Sequence, residues 1–155
     1  MHNRLLALTE LGRWDEAEAL LPEVTKLVDS IDTKPVDALF VHWIEGRIAT
    51  GRNHPAEAET IYLSVRRAYL DLKLPYRAAA VTLDLAGLLL GQNRLEEVRH
   101  YANEMIEEFR RQEAGVELIG AFALLEQAVL GQFLTADLLS RIRRHLASRA
   151  PRGRG

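Results

Sequence analysis

The sequence predicts an all-α protein built from about four helix-turn-helix units, eight helices in all, and three observations predict it. A helix-length apolar pattern, Ala17, Leu20, Leu21, Val24, Leu27, Val28 and Ile31, recurs 41 residues later as Ala58, Ile61, Tyr62, Val65, Ala68, Tyr69 and Leu72. A further shift of 40 gives Val98, Tyr101, Ala102, Met105 and Phe109, with Glu108 standing where Ala68 stood. Gly12, Gly51, Gly91 and Gly131 follow one another at intervals of 39, 40 and 40. Between them run long segments of 3.6-residue period, and no strand-like alternation breaks them. Self-similarity at such a period means stacked supersecondary units rather than a single mixed core.

The elements follow in order. A helix over 2–12 carries Leu5, Leu6 and Leu8 and stops at Gly12, where a left-handed C-cap residue is wanted. The next, 14–31, opens on Trp14-Asp15-Glu16-Ala17, acidic residues that complement the positive end of the helix dipole. Pro35 starts 35–50, which ends before Gly51. Pro55 occupies the first helical position of 55–73, with Glu57 in its first turn. The helix 75–90 begins at Pro75 and is apolar nearly all round, interrupted only by Arg77, Thr82 and Asp84, as a helix packed between neighbours should be. Glu96 and Glu97 open 94–112; Glu117 lies in the first turn of 115–130, which runs to Gly131. Thr135 is a candidate N-cap for 135–149, with Asp137 in its first turn and Leu138, Leu139, Ile142 and Leu146 along one face. The units are then about 1–31, 35–73, 75–112 and 115–149, a single repeat domain over 1–149 followed by a disordered basic tail, 150–155. The second helix of each unit carries the stronger period and is expected to build the shared core and outer wall.

Composition sets limits. The 155 residues include no cysteine, which excludes disulfide staples and thiolate metal sites. Nearly half are hydrophobic and about a quarter charged, the profile of a folded chain. The net charge of -2 is unevenly spread: six arginines and no acidic residue lie from Arg141 onward, leaving fourteen basic against 22 acidic residues before it. The start, Met1-His2-Asn3-Arg4-Leu5-Leu6, reaches Thr9, Glu10 and Arg13 before any signal core develops, and the longest apolar stretch, Leu85 to Leu90, is too short to cross a bilayer. A cytoplasmic location without membrane contact is the expectation.

The stretch Leu11-Gly-Arg-Trp-Asp-Glu-Ala-Glu-Ala-Leu-Leu, with a small residue and a bulky one four positions on, as in Ala17 to Leu21 and Ala58 to Tyr62, resembles the tetratricopeptide repeat. The resemblance covers most of residues 5 to 131 and implies a right-handed α-α superhelix. The period near 40 exceeds the family's usual ~34 residues and looks like the extended variety of bacterial transcriptional regulators and signalling proteins. Trp43 is followed by Glu45-Gly46 rather than by the signature of the family's first helix, and Val98 with Ala102 replaces the small and bulky pair in the third unit. Armadillo-like or HEAT-like pairing, also near 40 residues, is the alternative. The first helix is short and shows Leu5, Leu6 and Leu8 rather than a polar cap, which fits one piece of a longer array.

The search for chemistry points away from catalysis, metal and cofactors. His2, His42, His54, His100 and His145 are scattered, with no pair of metal-ligand spacing. The many glutamates fall where solvated helix faces predict them, and no nucleophile elbow, phosphate loop or dinucleotide fingerprint occurs.

The family resemblance implies that first helices line an inner, concave groove. In the third unit, Arg77 and Asp84 lie two turns apart on one face with Val81 and Leu88. The forty-residue shift adds Asp37, Val41, Ile44 and Ile48 before them and Glu117, Ala121 and Leu124 after. These positions are expected to form an uncovered groove with an apolar floor flecked by carboxylates and Arg77, suited to an amphipathic helix or extended peptide. The alternative is that another helix of the same array, absent from this chain, covers it. Trp43 falls beside that face and matches Leu83 in the next unit, so it is expected in the core between units.

The expected function is a non-catalytic interaction module that binds a peptide or partner domain in that groove, within a bacterial regulatory or signalling protein. Rival readings are a self-associating repeat that forms homo-oligomers through its open terminal unit, and a nucleic-acid-linked regulator using the arginine-rich C-terminus. Nucleic acid is the less favoured partner because no aromatic residue is interleaved with those arginines and Leu138, Leu139, Ile142 and Leu146 still mark a capping helix.

Overall fold

The computed structural model describes residues 2–30, 35–113, 115–131 and 135–149. The tail 150–155 and Ile31 lie outside the described residues. Among those described the chain is all α: α1 (His2–Glu10), α2 (Trp14–Ser30), α3 (Pro35–Gly51), α4 (Pro55–Asp71), α5 (Pro75–Gly91), α6 (Leu95–Arg111), α7 (Val116–Leu130) and α8 (Ala136–Arg149). The period of about 40 divides into halves. α3, α4, α5 and α6 are each 17 residues long and begin at 35, 55, 75 and 95.

The turns enforce that beat. The backbone N–H of Arg13 donates to the carbonyl of Leu8, of His54 to Ala49, of Leu74 to Tyr69 and of Arg94 to Leu89, while the residue before each donates to a carbonyl three residues back. This pair of bonds is the Schellman closure, which satisfies orphaned carbonyls at a helix end and needs a left-handed residue at its penultimate position. That residue is Gly12 (φ 70°), Asn53 (φ 61°), Lys73 (φ 59°) and Asn93 (φ 57°), and Glu113 (φ 52°) continues the series. The glycines therefore divide: Gly12 serves as the expected C-cap, whereas Gly51 and Gly91 are the last helical residues of α3 and α5 and Gly131 is right-handed. Gly51 answers a packing demand instead. A Cβ there would stand 2.2 Å from Cε2 of Trp14, so the indole lies where any side chain would be. At the far end, the N–H of Leu138 donates to Thr135 Oγ1 at 3.1 Å, the capping bond that Thr135 was expected to accept.

Contacts divide the chain into two compact units, Met1–Ala68 and Tyr69–Gly155, the boundary falling inside α4. In the first, Leu5 and Leu8 of α1, Ala17, Val24 and Val28 of α2, and Val41, Ile44 and Ile48 of α3 form one buried cluster, flanked by Leu6, Trp14, Leu20, Leu21 and Phe40. α4 joins through Tyr62, buried against α3 with its hydroxyl 3.0 Å from Thr50 Oγ1. Arg52 pairs with Asp15 at 2.7 Å and with Glu18, tying the turn after α3 to α2.

In the second unit α6 packs on α5 and α7, and α8 packs on α7 and returns to α5, so the four helices close on one another. Leu85 and Leu89 of α5, Met105 and Phe109 of α6, and Leu118, Phe122 and Leu125 of α7 are fully buried. The rings of Phe109 and Phe122 meet edge to face, 5.4 Å between centroids. At the end of α6, Gln112 donates to Glu108 Oε1 at 2.7 Å and Arg111 pairs with the same carboxylate. The hydrogen bond from Gln112, then that from Arg111 and the charges of Arg111 and Lys73, hold the Glu108 carboxyl below its ordinary 4.5 against a smaller opposing effect of burial.

Two outcomes follow. Replacing Gly51 with Leu forces the Trp14 indole out of its place and is expected to lower stability by about 1–3 kcal/mol in urea unfolding. The same change in a Trp14→Ala background is expected to cost less, because the clashing ring is gone. Glu108, whose folded pKa lies below its unfolded one, contributes stability that is complete above the ordinary carboxylate range and is lost as pH falls through the folded value. Gln112→Leu is expected to raise the Glu108 pKa toward the ordinary value in an NMR titration and to reduce stability at neutral pH more than in acid.

Candidate partner-binding surfaces

The eleven groove residues separate into buried and open positions. In the first unit Asp37 is half-buried in the first turn of α3, while Val41, Ile44 and Ile48 belong to the buried cluster with α1 and α2. The expectation that this face of α3 is uncovered is corrected: α1 and α2 both pack on α3. The apolar period of α3 reports burial, and only the packing shows by what. Trp43 is half-buried and carries Phe40 edge-on at 5.9 Å and the Arg47 guanidinium over its ring at 4.6 Å, whereas its counterpart Leu83 is buried.

In the second unit Val81 is 0% exposed and Ala121 is also buried, so the uncovered floor expected there is corrected as well. Arg77, half-buried, holds its guanidinium 5.9 Å from the ring centroid of Tyr69. Asp84 is buried, and Leu88 half-buried beside it. Glu117 and Leu124 are exposed on α7. They share an outward stripe with Val116 (77% exposed) and Leu130 (57%), Leu124 itself standing at 42%. At 100° per residue Val116, Leu124 and Leu130 fall within a ~120° arc of the helix, with Gly120 and the exposed Gln127 between them.

What covers Asp84 is α8. The Nη2 of Arg143 lies 2.9 Å from Asp84 Oδ1 and donates to the carbonyl of Leu83 at 3.3 Å. The Asp84 side chain is only 6% exposed and that of Arg143 40%. Leu139, Ile142 and Leu146, the apolar face of α8, are buried. A Cβ built at Gly87 would lie 3.5 Å from Cδ2 of Leu139 and 3.8 Å from Nη2 of Arg143, so this side of α5 admits α8 closely. α8 packs on α5 and α7, both first helices. Arg143 was the residue missed. Its signal was its position on the apolar face of α8, four residues after Leu139 and three before Leu146, opposite a lone carboxylate in an otherwise apolar helix.

The titratable groups elsewhere are engaged locally. Arg13 pairs with Glu16 at 2.6 Å, His42 with Glu45 at 3.1 Å, His54 with Glu57 at 3.5 Å and His100 with Glu104 at 3.6 Å, each within about one helical turn. Arg94 holds Glu97 through Nε at 2.8 Å, and that hydrogen bond lowers the Glu97 pKa. Among the described residues no group of three or more His, Cys, Asp or Glu is placed to hold a metal ion, and no helix is long and apolar enough to cross a membrane.

The Asp84 and Arg143 pair gives a direct test. Arg143→Ala leaves a buried carboxylate without this cation and is expected to cost about 1–3 kcal/mol in chemical denaturation, below the value for a fully buried pair because Arg143 is part-exposed. Adding Asp84→Ala to that variant is expected to cost less than the sum of the two single changes, a coupling that a double-mutant cycle measures.

Comparison of the chain with protein-family models, with curated proteins and with solved structures found no match, so the likeness to the tetratricopeptide repeat rests on the residues quoted for it.

Proposed function

We propose that the chain is a non-catalytic interaction module of tetratricopeptide-like type that binds a peptide or partner domain through its first helices, as part of a bacterial regulatory or signalling protein acting in the cytoplasm. The exposed apolar stripe of α7 carries this reading. Val116, Leu124 and Leu130 stand 77%, 42% and 57% exposed on one side of a single helix, with Gln127 among them, and exposed apolar side chains grouped on one face mark interaction sites. Glu117 at one edge supplies a carboxylate to orient a partner.

The two glutamates with a resolved shift, Glu97 and Glu108, are held below the ordinary carboxylate value by hydrogen bonds from Arg94 and Gln112, the arrangement of a solvated, locally paired surface.

The apolar stripe also favours a second reading, association between copies, because an uncharged stripe can meet its own equivalent about a two-fold axis. A double variant, Leu124→Glu with Leu130→Glu, separates the outcomes. Affinity capture with the unaltered chain is expected to retain partners that the variant loses by about tenfold or more, with the helical circular dichroism unchanged. Equal retention by both chains would count against the stripe as the binding surface. Light scattering that shows a dimer of the unaltered chain and a monomer of the variant would establish self-association instead.

A further inference from the structure

We infer that the outward face of α7 is a self-complementary dimer surface, and that its occupant is α7 of a second copy, laid antiparallel about a two-fold axis between Ala123 and Leu124. The inference rests on the reading of this stripe as the binding surface and names what it binds.

Gly120 has its explanation outside the chain. A glycine in a helix interior weakens that helix relative to alanine, so it is expected where the backbone needs freedom or a neighbour needs room. Gly46 and Gly87, which also lie inside described helices away from their ends, each face a side chain of the same chain: a Cβ at Gly46 would stand 2.7 Å from the Tyr62 ring, and one at Gly87 3.5 Å from Leu139. A Cβ at Gly120 would meet nothing within 4 Å, and the residue is exposed without a positive φ. The room it leaves opens to solvent, where bare helical backbone admits the close approach of another molecule.

The order of large and small residues along α7 fits its own reversal. At 100° per residue Val116, Gly120, Gln127 and Gly131 fall within a ~60° strip along the middle of the face. Turning the helix end over end about the proposed axis sets Val116 over Gly131 of the second copy and Gln127 over its Gly120, while Leu124 meets Leu124 beside the axis. Each larger side chain of the strip thus faces a glycine. A parallel pairing sets Gly120 on Gly120 and Gln127 on Gln127, a gap at one level and crowding at the other. Gln127 keeps hydrogen-bond partners in the antiparallel pair, because the bare backbone at Gly120 presents helical carbonyls with a second lone pair.

Charge favours a second copy over a foreign helix. The exposed residues of α7 are Val116, Glu117, Gly120, Leu124, Gln127 and Leu130, so Glu117 is the one charged side chain among them, and it stands at the edge of the arc, where it stays in water. A neutral face offers no cation or acid to select a charged partner, and it meets its own equivalent without like-charge repulsion. The helix dipoles run in opposite directions in such a pair, which is favourable. α7 has 15 residues and is about 22 Å long, so one helix pair buries less than the ~1,600 Å² of a standard interface and the dimer is expected to dissociate in the micromolar range.

The test uses the full chain in sedimentation equilibrium from about 1 µM to about 500 µM. The unaltered chain is expected to pass from monomer to dimer across this range, and a monomer throughout overturns the inference. Gly120→Leu fills the room kept for Gln127 of the second copy and is expected to weaken the dimer at least about tenfold, although it adds apolar surface and favours the helix. With nothing within 4 Å of the added Cβ, this variant leaves the fold of a single copy as it is, which circular dichroism checks. Equal or tighter dimerisation of Gly120→Leu overturns the inference, since a stripe that acts through apolar surface alone gains from the leucine. The sequence contains no cysteine, so introduced thiols report the register without background. A mixture of Val116→Cys and Gly131→Cys chains is expected to form the mixed disulfide at least about tenfold faster than either variant pairs with itself, and equal rates overturn the antiparallel register. An unaltered chain that stays monomeric yet holds partners which Leu124→Glu with Leu130→Glu loses overturns this inference and leaves the stripe as the surface for a foreign partner.

Discussion

The left-handed residue after α1, α3, α4, α5 and α6 is the constraint on which the rest of the structure depends. A helix of 17 residues is about 25 Å long, and the chain passes from one such helix to the next within three residues. The Schellman closure does this while satisfying carbonyls that would otherwise be orphaned beside a packed neighbour. Asn53, Lys73 and Asn93 recur every 20 residues, and so do the proline starts at 35, 55 and 75. Proline at the first helical position and a left-handed residue in the turn act together: the first fixes where the next helix begins, the second where the previous one ends. With both ends fixed, the helices recur at constant length, and the sequence repeats because the turns do.

Much of this was legible in the residues. The eight helix spans fall within about two residues of the structure, because prolines, first-turn acids and the 3.6-residue period mark them independently. The left-handed positions were legible only at Gly12. Glycine is the residue with no steric cost there, so a regular row of glycines invites assignment of the row to C-caps; yet Lys73 and Glu113 take the same conformation, worth the roughly 1 kcal/mol of local strain because two backbone bonds depend on it. Gly51 supplies space rather than conformational freedom: the space belongs to Trp14, a residue 37 positions away. Sequence periodicity carries no record of such distant steric demands.

The candidate site was legible as chemistry and not as topology. Asp84 interrupting an apolar helix, and its place on one face with Val81 and Leu88, could be read directly; that Val81 would be fully buried and Asp84 covered could not, since a periodic face states only that something packs there. The answer lay in a helix of the same chain. α8 carries an apolar face, and period alone gives it no preference among the helices of its unit. Charge breaks that degeneracy. Arg143 lies among Leu139, Ile142 and Leu146, and its part-exposed guanidinium reaches Asp84, the carboxylate that α5 offers.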